Sequence, residues 1–327
     1  MRRAFCLIGI VVSLAGISSS AETRTAVPNP PTRWSVTWQP VRLVNGAPVL
    51  FRVTAPVGLT ALSGSWQGHD VYFDFNARTR VWYGLAAVSL EARPGLHPLL
   101  LKGTSASGKP FSVERKINVR RAKYPSITVT VPQKFTEPSP EELRQIDAER
   151  TLKQEVFGRF DPQREWSGIF RPAVRARISD VFGTRRVFNG EVKSMHQGLD
   201  YAVPSGTPVL ALNRGIVLLA RPMFFEGNCV MLDHGQGLLS IYMHLSKIEV
   251  KEGETIQRGE EIALSGGTGR ATGPHLHVAV RWQGIYLNPA TLMKLKLPVY
   301  PEAQNTVANH ESDNAPGQKA ATAGKKE

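Results

Sequence analysis

Short apolar segments separated by glycine and proline run through most of this chain, and they restrict the folds open to it. The sequence contains 29 glycines and 23 prolines, which are scattered along its length. Both residues interrupt helices but suit the turns between short strands. Hydrophobic residues make up 42%, enough to build ordinary globular cores. The pattern therefore predicts an all-β protein, and the length of 327 residues predicts about two domains.

The first domain is expected over residues 32–121. Val71–Phe75 and Phe111–Val119 largely alternate apolar and polar side chains, as strands do when one face is buried and the other is wet. We predict a small β-sandwich of immunoglobulin-like type here. His69 and His97 occur singly in this region, so we interpret them as structural residues.

Residues 122–164 are expected to link the domains through a short helix. Ser139 suits the N-cap, Pro140 suits the first helical position, and Glu142 completes a capping box. The helix is predicted to end near Phe157 and to lie on the surface.

The second domain is expected over residues 165–298. Glycines at turn positions divide it into short apolar segments. The predicted strands are 208–212, 215–220, 228–233, 238–243, 261–264 and 276–282.

The two ends of the chain do not have the sequence of packed domains. Residues 1–21 have a basic start, an apolar run too short to span a bilayer and small residues before a cleavage point after Ala21, which predicts a signal peptide and export. Cleavage would leave Cys229 as the single cysteine, so no internal disulfide is expected. Residues 299–327 are polar and are predicted to form a disordered tail.

The charge suggests the kind of partner. The formal net charge is +13, and removal of Arg2 and Arg3 with the signal peptide leaves +11. A basic exported protein suits anionic partners such as cell walls, lipid head groups or nucleic acid, although the charge also serves solubility alone. Since no nucleic-acid-binding motif accompanies the charge, we expect no nucleic-acid partner. No later segment is long enough for a transmembrane helix.

Five residues of the second domain carry potential chemistry, namely His196, Asp200, His244, His275 and His277. His275 and His277 alternate at the start of a predicted strand, so their side chains share a face. His196 and Asp200 are separated by three residues, with Gly198 allowing the chain to turn between them. Two histidines and a carboxylate would leave a fourth zinc position for water, as in catalytic zinc sites. Separate structural histidines are the alternative on spacing alone.

The wider motifs are more specific. His196-x3-Asp200, Tyr242-Met243-His244-Leu245 and Gly273-Pro274-His275-Leu276-His277 resemble the signature of the lysostaphin-type (LytM-like) zinc metalloendopeptidases. Residues 179–186 and 198–209 also resemble this family, and the likeness covers about residues 174–292.

The resemblance implies roles for these residues. His196, Asp200 and His277 match the zinc ligands, while His244 and His275 match two catalytic histidines that act on a zinc-activated water. We expect His275 to be the general base and His244 to hydrogen-bond the water or the oxyanion. The implied substrates are peptide stems or cross-bridges of bacterial peptidoglycan, cut in the periplasm or cell envelope.

Other interpretations remain at this stage. His234 resembles a turn residue of the family and is expected to be structural. The first domain could position the wall, restrain the active site or bind an envelope protein partner. A non-catalytic activator of another wall hydrolase would lack zinc dependence, and the five retained residues disfavour it. A phosphocarrier of the glucose-uptake type would act in the cytoplasm, which the predicted export disfavours.

Overall fold

A computed structural model describes residues 34–300 apart from residues 56, 57, 189 and 191. The predicted signal peptide and residues 301–327 of the predicted tail lie outside the described residues. Strands dominate the described chain, which confirms the all-β prediction. Among its helices, none is both long and apolar enough to cross a lipid bilayer.

The first eight strands form a two-sheet sandwich. They are β1 (Ser35–Gln39), β2 (Leu43–Val44), β3 (Pro48–Thr54), β4 (Leu59–Trp66), β5 (His69–Asn76), β6 (Val81–Ala87), β7 (Gly95–Ser105) and β8 (Pro110–Arg120). Their order is β1-β3-β6-β5-β4-β7-β8-β2. The strand β5 changes partner part-way, because residues 69–72 pair with β4 and residues 73–76 pair with β6. The resulting sheets, β1-β3-β6-β5 and β5-β4-β7-β8, have the order of an immunoglobulin-type sandwich.

A connecting segment follows the sandwich. It contains β9 (Ser126–Val129), a 3-10 turn (Gln133–Phe135) and the helix α1 (Pro140–Gly158). The predicted capping box is present, since Ser139 and Glu142 each accept a hydrogen bond from the other's backbone amide. The helix is not a free surface connector. Val156 is buried against the central sheet of the second structural unit, which follows this helix in the chain. This face of the helix is therefore fixed to that unit.

The remaining strands build the second unit. They are β10 (Ile178–Asp180), β11 (Arg185–Phe188), β12 (Val192–Met195), β13 (Gly198–Tyr201), β14 (Pro208–Leu210), β15 (Gly215–Met223), β16 (Gly227–Asp233), β17 (Leu238–Ile248), β18 (Thr255–Ile256), β19 (Glu261–Ser265), β20 (Leu276–Trp282) and β21 (Ile285–Leu287), followed by the short helix α2 (Pro289–Leu292). All six strands predicted in this region are present. The predicted range 276–282 matches β20, and the other five strands have shifted ends.

The central sheet is antiparallel and positions the polar residues of interest. Its main path is β10-β13-β20-β17-β16-β15-β18. Off this path, β19 pairs with β17 and β14, and β21 pairs with β20. A separate sheet, β12-β11-β9, joins the connecting segment to the second unit through a parallel β9–β11 pair. This small sheet was not predicted from the sequence.

The two units contact each other directly. Asp74 of the sandwich accepts hydrogen bonds from Arg164 and Gln236, both at 3.0 Å. Tyr300 is buried, and the Arg164 guanidinium lies 3.5 Å from the centre of its ring. The packed chain therefore extends to Tyr300, beyond residue 299 where the disordered tail was predicted to begin, because this aromatic ring covers the junction.

His234 is a structural residue buried beneath the sheet. Its Nδ1–H donates to the carbonyl of Arg214 at 2.6 Å, and its Nε2 lies 2.8 Å from Ser240 Oγ. Burial lowers the pKa of His234 to about 4, although the hydrogen bond to the Arg214 carbonyl opposes the shift. The imidazole is therefore neutral at pH 7, in keeping with the structural role expected for it.

This buried imidazole predicts a pH-dependent stability. Between pH 6.5 and 4 the unfolded chain protonates His234 while the folded chain does not, so the free energy of unfolding falls as the pH is lowered through this window. The loss attributable to this residue is about 3 kcal/mol. Urea unfolding of metal-free protein at pH 7 and pH 4.5 would measure it. The His234→Gln variant should lose less stability than wild type between the two pH values, and equal losses would contradict the account.

Candidate metal centre and active site

Three side chains converge where β13 and β20 lie side by side. Asp200 and His277 are opposite each other in this antiparallel pair, and His196 lies just before β13. Their ligand atoms form a small triangle. His277 Nδ1 lies 2.7 Å from Asp200 Oδ1, His196 Nε2 lies 3.1 Å from the same oxygen, and the two nitrogens are 3.0 Å apart. All three residues are buried.

Neighbouring groups fix the orientation of this triangle. The Nδ1–H of His196 donates to the carbonyl of Val181 at 2.8 Å, which leaves its Nε2 lone pair facing the other donors. Arg186 donates to the second oxygen of Asp200 and also to Asp180. Burial alone would raise the pKa of Asp200. Hydrogen bonds and charge from His196 and His277 outweigh burial and hold that pKa below its ordinary value.

The triangle fits a zinc ion by its chemistry. Two imidazole nitrogens and one carboxylate oxygen are a common ligand set of catalytic zinc. Donors bound to tetrahedral zinc at 2.0–2.1 Å lie roughly 3.3 Å from one another. The observed separations of 2.7 to 3.1 Å are close to that value. When neither nitrogen carries a proton, the lone pairs of His196 Nε2 and His277 Nδ1 face each other at 3.0 Å and repel unless a cation lies between them.

Two further histidines lie beside the triangle. The ring centres of His244 and His275 are 4.7 Å apart, and that of His244 is 6.1 Å from that of His277. The Nδ1–H of His244 donates to the carbonyl of Thr268, and that of His275 donates to the carbonyl of Gly273, each at 2.8 Å. Each ring is thus left with Nε2 as its free nitrogen. His275 Nε2 lies 3.9 Å from Asp200 Oδ1.

His244 occupies an irregular point of its strand. Its φ is +62°, a left-handed conformation that non-glycine residues seldom adopt. The pairing of β16 with β17 shifts register at this point, which marks a β-bulge. The bulge changes the direction in which the His244 side chain leaves the strand. Burial lowers the pKa of His244 to about 3, and the nearby His275 and His277 contribute to this shift. The imidazole is consequently neutral over the physiological range.

All five residues predicted from the sequence line one open cleft of about 690 Å³. The helix α1 forms part of its wall through Lys153 and Phe157, so the connecting segment contributes to the site. Arg186 and Thr268, which position the site residues, were not predicted from the sequence. Residues 179–186 were noted for family likeness, but nothing in the spacing indicated that Arg186 would reach Asp200 from another sheet.

Gly198 is needed for a different reason from the one predicted. It begins a regular strand and does not have a positive φ, so it provides no special turn. A Cβ at this position would instead lie 2.6 Å from His277 Nε2 and 2.5 Å from the carbonyl oxygen of Val278. The missing side chain therefore makes room for the His277 ring.

The space above Gly198 gives a prediction about metal affinity. Gly198→Ala should displace the His277 ring and weaken zinc binding by roughly 10- to 100-fold, the range seen when groups supporting metal ligands are disturbed. Titration calorimetry with Zn²⁺ would measure the change. Gly158→Ala is the matched control, because a Cβ at that position meets no atom within 4 Å. Unchanged affinity in Gly198→Ala would show that His277 does not need this space.

Comparison with known proteins agrees with this geometry. Residues 194–289 match the model of Peptidase family M23. Over 147 residues the chain is 38% identical to the peptidoglycan DD-endopeptidase ShyA of Vibrio cholerae, a match that covers 45% of this chain and 31% of that protein. Over 121 residues it is 40% identical to the DD-carboxypeptidase/endopeptidase Mpg of Neisseria meningitidis, covering 37% of this chain and 28% of that protein. The matched segment thus spans about a third or less of these relatives.

One solved structure extends the likeness across both units. A crystal structure from Pseudomonas aeruginosa that was assigned to peptidase M23 covers 77% of this chain and 95% of its own chain, with 29% identity and a TM-score of 0.58. The family model covers His196, Asp200, His244, His275 and His277. This chain therefore contains a metallopeptidase domain of family M23.

Proposed function

We propose that this protein is an exported zinc-dependent endopeptidase that hydrolyses peptide cross-links of bacterial peptidoglycan. The observation that carries the proposal is the convergence of three buried ligand atoms with two further histidines in one open cleft. The relatives named peptidoglycan DD-endopeptidases support the substrate class. The predicted signal peptide and the basic charge support action in the periplasm or cell envelope.

His196, Asp200 and His277 are the proposed zinc ligands. They are buried and rigidly held, so the donor atoms remain together without large rearrangement. When bound, zinc supplies Lewis-acid polarisation of the scissile carbonyl and lowers the pKa of the attacking water.

His275 is the proposed general base. Its Nδ1–H is engaged by the carbonyl of Gly273, so Nε2 is the nitrogen able to accept a proton. Its side chain is 17% exposed and lies close to the Asp200 carboxylate. The same nitrogen can then return the proton to the leaving amine.

His244 is proposed to orient the attacking water. The carbonyl of Thr268 occupies its Nδ1–H, which leaves Nε2 to accept a hydrogen bond. Its deep burial keeps the ring neutral and fixed in one orientation. In this state His244 accepts a hydrogen bond from water and cannot donate one to an oxyanion. Orienting the water is therefore favoured over stabilising the oxyanion as the role of His244.

The activity is tested on isolated peptidoglycan, with released peptides identified by mass. We expect zinc-dependent release of uncross-linked peptides, which stops when the metal is chelated. His277→Ala should lose both zinc and activity. His275→Ala should retain zinc but lose roughly 100- to 10,000-fold in turnover, as expected on removal of a general base. His97→Ala, in the sandwich and outside the cleft, is the matched control.

Two results would oppose the proposal. A folded, zinc-loaded wild-type protein that releases no peptide would point to a binding protein or activator of another hydrolase. Full activity in His275→Ala would exclude this residue as the base while leaving the endopeptidase assignment intact.

A further inference from the structure

Four cationic side chains line the cleft, and they differ in their partners. Lys153 Nζ lies 2.7 Å from a carboxylate oxygen of Glu226, and Arg150 lies 2.7 Å from Asp147. Arg186 is paired with Asp180 and Asp200. The fourth cation is Arg270, whose guanidinium makes no hydrogen bond or ion pair with any residue that the structure describes. Within the described chain, the cleft thus contains one cation without a counter-ion.

Arg270 lies on the loop that positions the proposed catalytic histidines. This loop connects β19 to β20, and it carries Thr268, whose carbonyl holds His244. The backbone N–H of Arg270 donates to the carbonyl of Phe225 at 2.9 Å. The adjacent Gly269 packs so closely that an added Cβ would lie 2.3 Å from the nitrogen of Gly227. The base of the Arg270 side chain is therefore fixed relative to the reaction centre.

Aromatic rings also hold the guanidinium. Its carbon lies 4.8 Å from the centre of the Phe188 ring and 4.7 Å from that of Phe225. Phe188 is itself buried with Val131 and Phe135, so this contact is anchored in a small apolar cluster. Arginine packed in this way keeps its N–H edge available for a planar anion.

The surroundings disfavour a cation without a partner. Burial lowers the pKa of Arg270 below its ordinary value, and the charge of Arg186 adds to this effect while Glu226 opposes it. Glu226 makes its ion pair with Lys153 and forms none with Arg270. A charge that is partly removed from water is normally paired. No carboxylate among the described residues forms an ion pair with Arg270, so this half-buried guanidinium is available to an anion that enters the cleft.

We propose that Arg270 binds a carboxylate of the peptide substrate and so acts as a specificity determinant. The inference rests on the proposed function. Peptidoglycan stem peptides carry free carboxylates near their cross-links, and a guanidinium fork matches the two oxygens of a carboxylate. The residue touches neither the metal donors nor the attacking water in this account. Its contribution is to select and align an anionic peptide in the cleft.

The test compares two ligands that differ only in charge. Cross-linked muropeptide dimers released by a muramidase are used as prepared, and after conversion of their carboxylates to amides. Binding is measured by calorimetry to zinc-loaded protein carrying His275→Ala, which is expected to slow turnover by roughly 100- to 10,000-fold. We expect this protein to favour the native dimer, and Arg270→Gln to weaken native-dimer binding by roughly 10- to 100-fold while changing amidated-dimer binding little.

Two further variants separate recognition from packing. Arg270→Lys retains the positive charge but lacks the planar guanidinium. The affinity of this variant for the native dimer should therefore be intermediate, below that of the protein with Arg270 intact and above that of Arg270→Gln. Arg281→Gln removes another half-buried arginine, which lies 4.0 Å from the Phe157 ring centre but does not line the cleft. This control should leave both affinities unchanged, and thermal unfolding checks that each variant is folded.

The outcomes distinguish this inference from the proposed function. Three results would overturn the role of Arg270 even if wild type cleaves peptidoglycan. They are equal affinity for the two dimers, no binding of either dimer, and an equal loss of affinity for both dimers in Arg270→Gln. An Arg270-dependent preference for the native dimer would support that role. It would do so even if the wild-type protein failed to cleave, in which case the proposed function alone would fall.

Discussion

The pairing of β13 with β20 is the constraint on which the site depends. The antiparallel register sets Asp200 opposite His277, so two of the three proposed ligands are brought together by main-chain hydrogen bonds. A slip of one residue would turn every side chain of a strand to the other face. Leu199, Leu276 and Val278 are buried in the core, and their burial makes such a slip costly. The apolar core thereby fixes the positions of the polar residues.

Other parts of the chain hold the site from different directions. The segment around Val181 orients His196, and Arg186 reaches Asp200 from the small sheet that includes β9. The loop before β20 fixes both His244 and His275 through backbone carbonyls. The helix α1 forms a wall of the cleft. The connecting segment therefore contributes structure to the active site as well as joining the two units.

Much of this could be predicted because it is local in sequence. The alternation of His275 and His277, the capping box of α1 and the six strands predicted for the second unit, out of its twelve, all follow from patterns within a few residues. The family motifs were sufficient to indicate the five site residues. The contribution of Arg186 depends on a strand pair formed with the distant connecting segment, and no local pattern encodes such a pairing.

Other features depended on three-dimensional packing. The left-handed backbone of His244 arises at a β-bulge, and its sequence neighbours do not indicate one. Gly198 was predicted to permit a turn, but its missing side chain is explained by the ring of His277, which is distant in the chain and lies on the adjacent strand. That Arg270 forms no ion pair with any described residue likewise becomes evident only when the pairing of the other cations in the cleft is known.

The central claim is that His196, Asp200 and His277 together hold one zinc ion. Zinc K-edge X-ray absorption on the purified protein, combined with the measured metal content, tests it most directly. The account predicts one zinc per chain with two imidazole nitrogens and a carboxylate oxygen among its ligands, and loss of that ion in Asp200→Ala. Undiminished zinc binding by Asp200→Ala, or a ligand shell without two imidazoles, would contradict it.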